Sequence, residues 1–178
     1  MSLDFERVKE IRRRAHENDR YGGCSQSVLL ALQEGLGIGG LESFKAATVL
    51  SGGVARRGET CGALIGGLMA LGLVYGRERM EDTERYSDAM RIADEICSEF
   101  QLRLSREYNL DEPLDTTLCS EIQRRIYGRS FDLRDSLERE AFLAAGGHGD
   151  SGCLKVCGIA AEVTAERLIR LMGENRDS

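Results

Sequence analysis

Apolar residues recur along this chain at steps of three and four, the spacing of one face of an α-helix. Phe5, Val8, Ile11, Arg12 and Ala15 fall on such a spacing in a short charged helix. Cys24, Val28, Ala31, Leu32 and Leu36 form a second stripe that stops at Gly37. Residues 41–50 read as a short helix running into Ser51-Gly52-Gly53. The most apolar stretch, Cys61 to Tyr75, reads as a buried helix ended by Gly76. Tyr86, Met90, Ala93, Cys97, Phe100 and Leu104 mark one face of a long helix over 80–106. Pro113 breaks the chain, and shorter helices follow over 117–126 and 133–145. Gly146-Gly147-His148-Gly149-Asp150 is a loop, and 153–172 is the last helix. No stretch alternates at period two and no hairpin signal stands out. The pattern predicts an all-α bundle of about six to seven helices. With no repeat, linker or low-complexity segment, one domain over 1–178 is expected, its core at 20–172.

Composition narrows the class. With 178 residues and 42% hydrophobic positions the chain is too apolar for a disordered one. A chain of this size buries roughly 70% of its unfolded surface, so it needs no disulfides to fold. The net charge of −6 argues against a nucleic-acid binder. Arginine outnumbers lysine 21 to 3, but the arginines are scattered. The run Arg12-Arg13-Arg14 lies among Glu10, Glu17 and Asp19 and reads as a solvated face. The N-terminus shows no secretory signal, and Cys61 to Tyr75 is shorter than the roughly 20 residues a membrane span needs. The expected location is the cytoplasm, where structural disulfides are rare.

Six cysteines therefore call for a purpose. Cys24, Cys61, Cys119 and Cys153 each fall at a predicted helix start, behind capping-type residues. A first turn presents unpaired N–H groups and the positive end of the helix dipole. A thiolate there is stabilised, so a convergent cluster of low-pKa thiols is expected. Thiolates also bind soft metals. Cys97 lies mid-helix on the apolar stripe and reads as packing. Cys157, one turn after Cys153, reads as a second thiol at the same site or as a small core residue beside Ala160 and Ala161. There is no C-x-x-C, so ribbon, thioredoxin-like and ferredoxin-type motifs lack support.

Cys61-Gly62-Ala63-Leu64-Ile65-Gly66 fits C-G-A-x-x-G, with glycine-rich flanks on both sides. It resembles the C_GCAxxG_C_C family of redox-active proteins. In that family one cysteine precedes the motif and two follow it. Gly22-Gly23-Cys24-Ser25-Gln26-Ser27-Val28 resembles the upstream Gly-x-Asn-Cys-Ala-x-x-Val. The third cysteine looks like Cys119, in the segment running to Gly128, with looser spacing. The fourth looks like Cys153, with Val156, Ala160 and Ala161 in the family's places and Leu154 replacing its usual proline. The resemblance implies a small helical redox protein, in a family often encoded near transporter genes. A related domain occurs in split-Soret cytochromes, where an iron–sulfur centre has been proposed. Gly62, Gly66 and Gly67, costly in a helix interior, also fit tight helix packing.

Three functions remain open. The first is a metal or iron–sulfur redox centre on Cys24, Cys61, Cys119 and Cys153, holding a cluster or a zinc or iron ion. Cys157 and His148 are further candidate ligands. The second is a thiol–disulfide oxidoreductase in which Cys61 attacks and a neighbouring cysteine resolves. The third is a non-catalytic helical adaptor for a transporter-linked system. Each needs a partner that the sequence does not name, and a homo-oligomer is compatible with all three. His148 otherwise reads as a surface loop residue, and His16 has no candidate partner. Arg56 and Arg57 would either acidify Cys61 or stay solvated in their loop.

Overall fold

The computed structural model describes residues 2–174. Among them are eight α-helices and no strand. They are α1 (Ser2–Asn18), α2 (Cys24–Leu36), α3 (Leu41–Ala46), α4 (Gly62–Tyr75), α5 (Thr83–Glu107), α6 (Cys119–Tyr127), α7 (Ser136–Ala144) and α8 (Cys153–Glu174). The expected all-α class holds, with eight helices where about six to seven were expected, and each stripe read from the sequence lies on a helix. Single 3₁₀ turns follow α1, at Asp19–Tyr21, and α3, at Ala47–Leu50.

The arrangement centres on α8, which packs against α1, α2, α4 and α5. Its apolar positions are sealed nearly end to end, from Leu154 through Ile159 to Leu168. Ile11 and Ala15 of α1 are also fully buried, so the core begins well before residue 20. Close packing of α2 on α4 needs glycine: a Cβ on Gly66 would sit 2.4 Å from the Ser25 carbonyl oxygen. The tight-packing reading of the motif glycines is therefore a feature of this interface. Outside that core, Tyr127, Phe131 and Phe142 meet edge to face and join α6 to α7.

Three expectations need correction. The buried face of α5 is Ile92, Ile96, Phe100 and Leu104, while Tyr86 and Met90 face solvent. Phe5 is exposed too. Arg12 does not belong to a solvated face: its guanidinium bonds Glu107 on α5 (2.6 Å) and also Glu162 on α8. Arg13 and Arg14 do stay on the surface with Glu10, Glu17 and Glu34.

Candidate functional site

The segment before α4 is built from left-handed backbone. Gly52, Gly53, Val54, Ala55 and Arg56 all have φ between 51° and 68°. Three of these are not glycine, at a cost of roughly 1–2 kcal/mol each. This turn carries the chain into a single antiparallel bridge between Thr60 and Leu118. The Cys61 N–H donates to Thr117 O (2.8 Å), and the Cys119 N–H to Glu59 O (2.7 Å). The bridge therefore sets the starts of α4 and α6 side by side.

Cys24 comes in from α2. A Cβ on Gly62 would lie 2.5 Å from Cys24 Sγ, so only glycine lets that thiol rest beside Cys61. Cys153 opens α8, and its thiol lies in the electrostatic field of Cys24 and Cys61. Cys119 feels Cys61, Cys153 and Cys24. The structure thus brings together all four cysteines singled out at helix starts. Cys157 joins them: it is buried, and the charges of Cys24, Cys153 and Cys61 disfavour its ionisation. Cys97 stands apart on α5, half-buried and packed against the core. All six thiols are free.

The electrostatics differ from the low-pKa cluster expected. Burial pushes every clustered thiol up, Cys24 to about 12 and Cys119 and Cys157 well above the ordinary 9.0. The helix-start effect is present but smaller. At Cys61 the N–H groups of Ala63 and Leu64 favour the thiolate, yet burial outweighs them. The capping expectation fails as well: α2, α4 and α6 have no side-chain cap, and Cys61 itself is the cap residue of α4. Arg56 and Arg57 are exposed, and the groups acting on Cys61 are burial, its own helix start and Asp19.

Asp19, read from the sequence as part of a solvated face, is buried instead. It is 1% exposed, in the 3₁₀ turn after α1. Its charge disfavours ionisation of Cys24, Cys61, Cys153 and Cys157. Ser27 Oγ donates to its Oδ1 at 3.4 Å, while Oδ2 has no hydrogen-bond partner. Oδ2 faces His148 Nδ1 at 3.5 Å, an ion-pair distance that raises the His148 pKa. His148 is thus a partly buried partner of Asp19 rather than a surface residue. His16 also has partners: its Nε2 lies 3.1 Å from Asp150 O and 3.8 Å from the Asp150 carboxylate.

The family described as "Putative redox-active protein (C_GCAxxG_C_C)" matches residues 23–167. The chain belongs to this family. The matched span runs from the residue before Cys24 into α8 and includes the whole thiol cluster. No curated protein and no solved structure matches the chain. A redox role follows from membership, while the chemistry must come from the site. Among the described residues, no three His, Cys, Asp or Glu side chains stand ready around a single ion. No described helix is long and apolar enough to cross a membrane.

Proposed function

We propose that Cys24, Cys61, Cys119 and Cys153 are the redox centre of this protein, as a four-thiolate site for an iron–sulfur cluster. The observation that carries this reading is their convergence from four separate helix starts. The donor chemistry fits, because thiolates bind soft metals and iron–sulfur clusters. The donors do not surround one point. A cluster spreads its thiolates over several metal atoms, so it demands less convergence than a single tetrahedral ion. When bound, the group would supply electron transfer; Cys157 and His148 would stand at its edge.

A second reading rests on Cys24 Sγ lying against the residue next to Cys61. The Cys61 thiolate attacks a partner's disulfide, forming a mixed disulfide and releasing one partner thiolate. The Cys24 thiolate then displaces the other. A Cys24–Cys61 disulfide and a reduced partner remain, and the two thiol protons go to solvent. In either case the partner is a redox protein of the cytoplasm, and the family resemblance points to a transporter-linked system.

Anaerobic purification decides between the two. Iron, acid-labile sulfide and a visible spectrum that bleaches with dithionite are expected. A colourless, metal-free protein that gains two hydrogens per chain on reduction would instead establish the disulfide cycle. A protein with neither property contradicts both.

A further inference from the structure

Two side-chain donors to the thiol centre come from α6. Cys119, Gln123 and Tyr127 follow one another at steps of four, so they share a face of this helix. Gln123 is buried, and its Nε2 donates to Cys119 Sγ at 3.6 Å. Its amide orientation is set, because Oε1 accepts the Phe131 N–H at 2.9 Å. One turn on, the Tyr127 hydroxyl lies 3.5 Å from Cys153 Sγ. Its hydrogen is shared with Gly147 O at 3.3 Å, the carbonyl that also accepts the Cys153 N–H at 2.9 Å, so the hydroxyl bridges the two ends of this turn. The ring is held edge to face by Phe131 and Phe142. A Cβ on Gly152 would come 2.7 Å from the hydroxyl, so glycine there leaves room for the phenol.

We propose that Gln123 and Tyr127 are positioning residues of the thiol centre, donating hydrogen bonds to Cys119 Sγ and Cys153 Sγ that orient these sulfurs. This rests on the thiol centre argued above, though not on which group it holds. A donor on a sulfur stabilises thiolate over thiol. It also favours the reduced centre, where an added electron from a chemical reductant leaves more charge on the sulfurs. Gln123 and Cys119 are both buried, so their bond counts for more than it would in water. Tyr108 provides the contrast: its equally enclosed hydroxyl donates to Gly152 O at 2.8 Å and to no sulfur.

The test is independent of the bound group. In metal-free, reduced protein, iodoacetamide alkylation of each cysteine is followed by peptide mass spectrometry at fixed pH. Tyr127→Phe keeps the ring packing and removes the donor. It is expected to slow alkylation of Cys153 about tenfold, with Cys119 unchanged. Gln123→Met is expected to slow Cys119 alone. Tyr108→Phe is expected to slow neither. In protein carrying its centre, Tyr127→Phe is expected to lower the midpoint potential by about 59 mV for a one-electron couple, the equivalent of a tenfold change. Should Gln123→Met unfold, the comparison of Tyr127→Phe with Tyr108→Phe decides. Equal Cys153 rates in wild type and Tyr127→Phe, or equal slowing by Tyr108→Phe, overturn the proposal. Absence of metal and of any disulfide would sink the centre itself while leaving these rate ratios measurable.

Discussion

Asp19 adds its charge to the burial that raises four of the clustered thiols, and nothing in its neighbourhood along the chain announces it. It follows a helix rich in arginine and glutamate, where an aspartate reads as one more surface charge. Its burial comes from residues far away in sequence, the loop around His148 and the start of α8. Burial is the larger cause of the raised thiol pKa values, and the Asp19 charge adds to it. Asp19→Asn removes the charge and keeps the shape. In the metal-free protein it is expected to make Cys153 and Cys157 more acidic, seen as thiolate absorbance appearing at lower pH. No change would mean the charge is screened from the thiols. The Asp19–His148 pair has a pH signature of its own. The folded-state pKa of His148 is raised above its ordinary 6.5. The stabilisation it brings is therefore complete below about 6.5 and is lost as pH rises through the raised value. The stability difference between wild type and His148→Gln, from urea midpoints, is expected to shrink across that interval. A difference constant with pH would rule the pair out as a source of stability.

At the scale of elements, the helix starts were readable in the sequence because they are local events. Cys24, Cys119 and Cys153 open α2, α6 and α8, and Cys61 immediately precedes α4. The facing of α5 was not readable to the same degree. Two adjacent stripes, one through Met90 and Cys97 and one through Ile92 and Ile96, both fit helical spacing, and only the packing on α4 and α8 selects the second. The bridge between Thr60 and Leu118 is a single pair and leaves no periodic trace. The low-pKa expectation went wrong by weighing the helix ends without their burial. Close approach of α2 and α4 is what sets Cys24 beside Cys61. Gly66→Ala places a Cβ against the Ser25 backbone. It is expected to cost about 1–3 kcal/mol of stability by overpacking and to reduce bound metal per chain. Unchanged stability and unchanged metal would show that this interface does not position the site.

Across the whole molecule, one end of a helical bundle collects what the sequence holds far apart. Positions 24, 61, 119 and 153 span most of the chain, yet α8 and the helices around it bring them to one place. Cys157, read either as site or as core, lies at the site because it is one turn below Cys153 on the buried side of α8. Cys97 lies on a different helix and is not among the thiols acting on the cluster. That contrast makes the cysteines themselves the sharpest probe of the account. Single serine variants at each of the five positions 24, 61, 97, 119 and 153 are purified anaerobically, and bound iron and sulfide are measured per folded chain. The account expects Cys24→Ser, Cys61→Ser, Cys119→Ser and Cys153→Ser each to lose most of the bound group, with Cys97→Ser matching wild type. Equal loss in Cys97→Ser, or full retention in any one of the other four, would contradict it.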